Sequence, residues 1–305
     1  MSPADLTHRL EGAIAFPVTP FRDDLSLDLE GFRRNLRLLR DHEIAAIVAA
    51  GGTGEVYSLT PEEHLDVVRA AVVEVGDRMP VIAGTGFNAA LGPRLARQAA
   101  QVGASGILAF PPYYPQADED GLVEYYRTIG EASPLGLLVY SRDWFHPGSA
   151  LVERLTGIPT LIAWKDGQGD IRRLQALQAH LGNRLRWIGG AGDDMVPAYY
   201  AIGIRAFTSS VANVAPWIAV HLHQAASAGD RAALDSLMRE LILPLYLLRG
   251  RRKGYEVTVM KTLMNLLGLA GGRVRPPLPE LTATAAAELQ ALAARWHAHR
   301  QALSV

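Results

Sequence analysis

Leu161-Ile162-Ala163-Trp164-Lys165-Asp166 is an apolar run closed by a lysine and an aspartate. A short run without polar alternation reads as a strand buried on both faces, as in a parallel sheet covered by helices. Seven more stretches read the same way: 13–17, 45–50, 80–85, 106–110, 136–140, 186–190 and 205–209. Helical patterns lie between and after them at 29–42, 61–75, 91–102, 120–132, 149–155, 171–181 and 193–202, with an eighth starting near Ala215. Strands alternating with helices at this spacing favour successive βα units and a parallel sheet.

Eight such units fit a closed (β/α)8 TIM barrel. An open doubly wound sheet is the alternative. It loses ground because no Gly-x-Gly-x-x-Gly follows the first strand, and Gly84-Thr85-Gly86 is too short to count. Beyond Gly229 the pattern is purely helical, at 231–250, 254–268 and 282–302, with Pro276, Pro277 and Pro279 at the last junction. The expected organisation is an α/β catalytic barrel over 1–228 and a C-terminal helical extension over 229–305, packed on the barrel.

Composition narrows the function. A chain of 305 residues suits one barrel with additions. A formal net charge of -1 gives no electrostatic case for nucleic acid or an anionic membrane. There is no cysteine, which excludes disulfides, thiolate metal sites and a cysteine nucleophile. Residues 1–11 lack the apolar core of a secretory signal, and no apolar run approaches a membrane span. A cytoplasmic enzyme is expected. Only three of the 30 basic residues are lysine: Lys165, Lys253 and Lys261. Lysine is not scattered here as a solubilising residue, so each one needs a reason.

In such a barrel the chemistry gathers at the C-terminal strand ends. Lys165 closes its strand at the mouth, where desolvation frees an amine to attack a carbonyl. A structural lysine paired with Asp166 or Asp143 is the plain alternative. Tyr140 closes the neighbouring strand and can relay protons, or it can be a core tyrosine. Gly51-Gly52-Thr53-Gly54-Glu55 is a strand-to-helix turn whose N–H groups and Thr53 hydroxyl can hold a carboxylate, or it can be only a tight turn. It lacks the Gly-Lys-Ser/Thr ending of a P-loop. The histidines, among them His42, His64, His146, His180, His221 and His223, show no ligand spacing with carboxylates, so no metal is expected and packing or surface roles are.

Phe16-Pro17-Val18-Thr19-Pro20-Phe21, Gly52-Thr53-Gly54-Glu55, the helix start Pro61-Glu62-Glu63, Tyr140 and Lys165-Asp166 together resemble the dihydrodipicolinate synthase/N-acetylneuraminate lyase superfamily, over nearly the whole chain. The resemblance implies a barrel with a C-terminal helical part and a Schiff base on Lys165. It implies Tyr140 as proton relay, and Gly52 and Thr53 on the carboxylate of a 2-oxo acid. No cofactor is implied, and a homotetramer or homodimer is. Within the superfamily the chain is most similar to the 5-dehydro-4-deoxyglucarate dehydratases, through Tyr140-Ser141-Arg142-Asp143, 164–170, Thr208-Ser209-Ser210 and 249–255. The Tyr-Asn-x-Pro-x-Arg segment of the synthases is missing. Ser141 stands where the dehydratases have Asn, and Tyr114 where the synthases place a second tyrosine.

The activity so implied converts a 2-oxo sugar diacid, by dehydration and decarboxylation through a lysine imine, to 2,5-dioxopentanoate. Ser209, Ser210 and Arg142 are candidates for its distal end, since serine donates to hydroxyls and arginine holds carboxylates in a bidentate fashion. Arg142 can instead pair with Asp143 or a neighbouring subunit. Two competing readings are an aldolase or synthase using the same imine, and a barrel kept as a ligand-binding regulator.

Overall fold

The apolar runs form eight short strands, and their burial explains their composition. These are β1 (Gly12–Ala15), β2 (Ala46–Ala49), β3 (Val81–Phe87), β4 (Gly106–Pro112), β5 (Gly136–Ser141), β6 (Leu161–Asp166), β7 (Arg186–Gly189) and β8 (Ala206–Ser209). All pair in parallel, in chain order, and β8 returns to β1, so the sheet is a closed barrel without edges. The computed structural model describes residues 1–113 and 117–303. Tyr114 lies outside the described residues.

A helix α1 (Pro3–Arg9) precedes the barrel, and the strand pattern gave no hint of it. Its signal was local: the Ser2 hydroxyl accepts from the Asp5 N–H, and the Asp5 carboxylate accepts from the Ser2 N–H, which is a capping box. Its buried Leu6 lies against the first residues of β4 and β5. A Cβ on Gly106 would come within 2.6 Å of Leu6 Cδ2 and one on Gly136 within 3.2 Å, so the two glycines make room for that side chain.

The barrel helices are α2 (Leu29–Arg40), α3 (Pro61–Val75), α4 (Leu91–Gln101), α5 (Glu119–Glu131), α6 (Ser149–Leu155), α7 (Ile171–Leu181), α8 (Val196–Ala201) and α9 (Pro216–Ala228). Asp28, Thr60, Asp118 and Asp170 accept a backbone N–H at the starts of α2, α3, α5 and α7. Each such cap stabilises a helix end by about 1 kcal/mol and tells the βα loop where to stop. The stretch read as a helix over 193–202 is a 3-10 turn, Asp193–Met195, followed by α8.

The chain continues through α10 (Arg231–Leu237), α11 (Leu243–Arg249), α12 (Tyr255–Leu266) and α13 (Ala283–Leu303). The single helix expected at 231–250 is interrupted by a wide π turn at Met238–Ile242. Pro244 has no N–H to give the carbonyl of Glu240, and the ladder is disturbed where that bond is missing. Buried Trp296 and Leu289 on α13 join the same apolar core as the barrel. No described helix is long and apolar enough to cross a membrane.

The β8–β1 seam is extended by a side chain. Asn213 accepts from the Val18 N–H and donates to the Phe16 carbonyl, both at 2.9 Å, beyond the last backbone pair Ala15 and Ser209. Asn213→Ala leaves both buried groups unpaired and should lower the unfolding free energy by roughly 1–3 kcal/mol. Urea denaturation of the variant checks this, and an unchanged midpoint would show that the seam does not depend on Asn213.

Candidate active site

Lys165 and Tyr140 face each other in the β5–β6 ladder, each one residue from the end of its strand. Residues opposite in a parallel ladder project to the same side, here into the barrel mouth. Both are buried, Lys165 to 2% exposure and Tyr140 to 3%. The amine sits over the phenol ring, 3.2 Å from its centroid, and donates to the Gly190 carbonyl at 3.1 Å. The Phe16 ring lies 5.2 Å away.

The structural alternative for Lys165 needed an acid. Among the described residues Lys165 has no ion-pair partner. Neighbouring Asp166 is committed elsewhere: it accepts from the Tyr199 hydroxyl at 2.9 Å and from the N–H groups of Gln168 and Gly169 at 3.1 and 3.0 Å. Burial without a counter-ion penalises the ammonium, and despite the opposing pull of Tyr140 the amine is lowered from 10.5 to about 8. At pH 7 about a tenth of the amine is then free base, against about three parts in ten thousand at the ordinary value. The direction of the shift, toward the free base, is the one a nucleophilic amine needs.

Tyr140 is shifted the same way for another reason. Burial opposes its ionisation, but the Lys165 and Arg142 cations outweigh burial and hold the phenol below its ordinary value. The Arg142 guanidinium donates to the Tyr140 hydroxyl at 3.0 Å. Asp143, in a left-handed conformation at φ 54°, turns the chain just beyond Arg142. The turn is pinned by the Ser141 hydroxyl and the Gln168 amide, which donate to the carbonyls of Phe145 and Asp143. Ser141, standing where the resemblance has Asn, is therefore a buried turn anchor.

Glycines clear the space. A Cβ on Gly190 would stand 2.7 Å from the Lys165 amine, one on Gly167 2.4 Å from the Tyr140 ring, and one on Gly189 2.2 Å from the ring of Tyr199. None of these distances is tolerable, so the lysine, the tyrosine and the Asp166 partner each depend on a glycine opposite. Gly189 and Gly190 close the strand stretch 186–190, and Gly167 lies in the stretch 164–170; the space each one clears depends on the fold.

The turn after β2 meets this group through two contacts. The Phe16 ring that lies near the Lys165 amine also lies against Gly51, where a Cβ would come within 2.8 Å of it, and a Cβ on Gly52 would stand 4.0 Å from Arg142 Nη1. Gly52 and Thr53 are half-buried at the rim. Thr19, also at the mouth, spends its hydroxyl on the Gly54 carbonyl at 2.7 Å and fixes the turn.

Ser209 and Ser210 end β8 as expected, but their hydroxyls are engaged within the protein. The Ser209 Oγ accepts from the Ala212 N–H at 3.0 Å. The Ser210 Oγ accepts from Arg249 Nη1 at 2.7 Å and lies 3.3 Å from the Tyr246 hydroxyl. Tyr246 donates in turn to Asp193, a wholly buried carboxyl that burial pushes up. Asp193, Tyr246 and Arg249 were not singled out as site residues, because nothing in the linear spacing brings α11 to the end of β8. Arg142 meets Asp143 at 3.5 Å as well as Tyr140, and its side chain is 45% exposed. The histidines pack or pair locally: His64 bonds the Gly84 carbonyl and His223 the Tyr200 hydroxyl. No three His, Asp or Glu side chains gather as a metal site among the described residues.

Residues 9–295 match the dihydrodipicolinate synthetase family. A probable 5-dehydro-4-deoxyglucarate dehydratase of Ralstonia nicotianae is 38% identical over 96% of this chain and 96% of its own. Another, of Methylobacterium radiotolerans, is 40% identical over 96% of this chain and 97% of its own. Among solved structures, dihydrodipicolinate synthase from Bacillus clausii superposes with a TM-score of 0.90 at 29% identity, covering 96% of this chain and 99% of that one. The Ruminococcus gnavus sialic acid aldolase gives 0.89 at 19% identity over 96% and 99%, a likeness of fold alone.

The lowered amine has a direct readout. Trace acetylation of Lys165 by acetic anhydride, a reagent that does not itself titrate, followed by mass spectrometry of its peptide, should rise with pH through a half-maximum near 8, as the free base replaces the ammonium. A half-maximum near the ordinary 10.5 would show that burial does not act on this amine.

Proposed function

The chain belongs to the dihydrodipicolinate synthetase family, and from that premise we propose that it is a Schiff-base-forming lyase that dehydrates and decarboxylates 5-dehydro-4-deoxyglucarate. The products are 2,5-dioxopentanoate, CO2 and water. The observation that carries the reading is the unpaired, buried Lys165 amine lying on the face of Tyr140. The names of relatives matching 96% of the chain support the choice of substrate.

The steps follow from the groups present. The free amine of Lys165 adds to the ketone beside a carboxylate, and Tyr140 passes the protons that turn the carbinolamine into an iminium and release water. The carboxylate lies on the N–H groups of the Gly52–Thr53 turn. The iminium makes the neighbouring CH2 acidic, and Tyr140, having given its proton to the water lost from the carbinolamine, takes one from that carbon to leave an enamine. The enamine expels the β-hydroxyl as water, leaving a conjugated iminium. This cation accepts the electron pair released when the far carboxylate departs as CO2. One protonation on carbon restores the iminium and leaves an enol, tautomerisation of the enol (the second protonation on carbon, with loss of the hydroxyl proton) gives the aldehyde, and hydrolysis frees the keto acid and the amine. The water consumed in hydrolysis equals that released in imine formation, so the net loss is one H2O and one CO2.

Tyr140 suits the relay because Arg142 and Lys165 make its proton easier to release than that of an ordinary phenol. Arg142, half-exposed at the rim, is placed to meet the distal carboxylate, while Ser209 and Ser210, their hydroxyls engaged within the protein, shape the end of β8. We read 1–228 as the catalytic barrel and 229–305 as an extension packed on it. The enzyme is taken to work in the cytoplasm as a homotetramer or homodimer without a cofactor.

Incubation with 5-dehydro-4-deoxyglucarate should release one CO2 per turnover and a semialdehyde that a coupled dehydrogenase oxidises. Efficient consumption of pyruvate with an aldehyde, the sugar diacid being left untouched, would move the enzyme to the aldolases. Borohydride with substrate should add the ligand mass to the Lys165 peptide, and an adduct on Lys253 or Lys261 alone would defeat the assignment. Tyr140→Phe should lower kcat by roughly 10²–10⁴-fold. Wild-type kcat in that variant would remove Tyr140 from the chemistry.

A further inference from the structure

The turn that carries Gly52 and Thr53 ends in Glu55, and Glu55 is unusual twice over. Its backbone is left-handed, φ 53°, and its side chain is wholly buried. A side chain other than glycine holds that conformation only where its surroundings over-determine it. Some of that hold is local: Glu55 N–H donates to the Gly52 carbonyl at 3.1 Å, and Val56 N–H to that of Gly51 at 3.2 Å. The rest comes from far along the chain. The Glu55 carboxylate forms an ion pair with Lys261 on α12 and accepts the Arg275 N–H at 3.0 Å.

Lys261 is as buried as its partner, at 1% exposure, and also donates to the Arg273 carbonyl at 2.6 Å. Arg275 reaches on to Glu63 in the first turn of α3, holding both carboxylate oxygens at 2.6 and 2.7 Å. The Phe21 ring lies beneath both cations, 4.3 Å from the Lys261 amine and 4.1 Å from the Arg275 guanidinium. The segment 273–275 and α12 therefore grip both ends of the loop that follows β2.

A buried ion pair is a poor device for stability alone, because well-packed apolar residues of similar volume often serve as well or better. What it supplies is direction. Its hydrogen bonds fix where two backbones stand relative to each other, which an apolar contact does not. In a chain that otherwise uses arginine, Lys261 is one of three lysines, and a compact ammonium suits a site closed on all sides.

We infer that Glu55 and Lys261 are positioning residues for the reaction: their buried pair sets the place of the Gly52–Thr53 turn, and with it the fit of the keto acid's carboxylate. The inference rests on reading that turn as the carboxylate site. It makes α12 part of the catalytic apparatus, acting through Glu55 rather than by touching substrate.

Pyruvate, the smallest 2-oxo acid, is the probe. Borohydride trapping on Lys165, measured by peptide mass over a range of pyruvate concentrations, gives a half-saturating concentration for each protein. Lys261→Met and Glu55→Gln should each raise it on the order of ten-fold or more, as misplacement of a binding group does, while saturating pyruvate still labels Lys165 fully. Lys261→Arg should fall between wild type and Lys261→Met. The double variant Glu55→Gln/Lys261→Met should be no worse than either single change, because the two act as one unit. The double variant also leaves no unpaired buried charge, so it carries the test should a single variant not fold. Thermal melting is read in parallel. Half-saturation unchanged from wild type in the folded variants, whatever their melting temperature, overturns the inference and leaves the pair a structural contact. No adduct on Lys165 in the wild type would instead overturn the reading of the site, and this inference with it.

Discussion

A primary amine buried in the barrel mouth, with no counter-ion among the described residues, is the constraint around which this molecule is arranged. An ammonium deprived of water is costly, and the ordinary remedy is a carboxylate in contact. Here that remedy is withheld: Asp166, the nearest acid in sequence, is saturated by Tyr199 and two backbone N–H groups. The amine keeps one carbonyl, that of Gly190, and the face of one phenol. The cost of burial then appears as a lowered proton affinity, which a nucleophile needs. Gly190 and Gly167 follow from the same constraint, since a methyl group at either position would displace the amine or the ring it rests on.

Lys261 shows what the other solution looks like. It is equally buried, and burial also lowers its affinity for a proton. But it contacts a carboxylate, a carbonyl and an aromatic face, all supplied by its own chain. Every direction in which its three donors could point is taken. The two lysines thus differ in partners more than in proton affinity: Lys261 is paired with a carboxylate, whereas Lys165 meets none among the described residues. A lowered affinity by itself would not have told them apart, whereas the contacts do.

Much of this was legible in the sequence, for physical reasons that can be named. Strands buried on both faces must be apolar throughout, so all eight stood out, and their order in the chain is their order in the barrel. Lys165 and Tyr140 were visible because each closes such a strand and because lysine is scarce. The rest was hidden where the decisive partner is distant in sequence. Glu55 and Lys261 are 206 positions apart, and the sequence shows each only as a charge. Ser210 looked like a free donor because nothing near it announced Arg249, which arrives from α11. Helix α1 was overlooked although its capping box was in plain view, because seven residues are too few to show a period. The break before α11 was also in view, as Pro244 within an apolar helical stretch.

Arg142 ties the parts of the mouth together. Its guanidinium bonds the Tyr140 hydroxyl, stands 3.5 Å from Asp143, and has Gly52 within reach. An arginine fork has more donors than one phenol can use. Asp143 is 74% exposed and so competes weakly for the cation, since an ion pair in water is worth about 1 kcal/mol or less. A carboxylate entering a drier mouth would compete better, and the guanidinium could meet it without releasing Tyr140. The cation that eases ionisation of Tyr140 and the cation that greets an acidic substrate are then the same group. On this reading, loading the site leaves the hydrogen bond from Arg142 to Tyr140 in place. A second carboxylate on the substrate would partly neutralise the Arg142 charge, making Tyr140 a stronger base after binding than before. The chain turns at Asp143, in its left-handed conformation, just beyond Arg142, whose guanidinium lies back over the Tyr140 ring at 5.9 Å while bonding its hydroxyl.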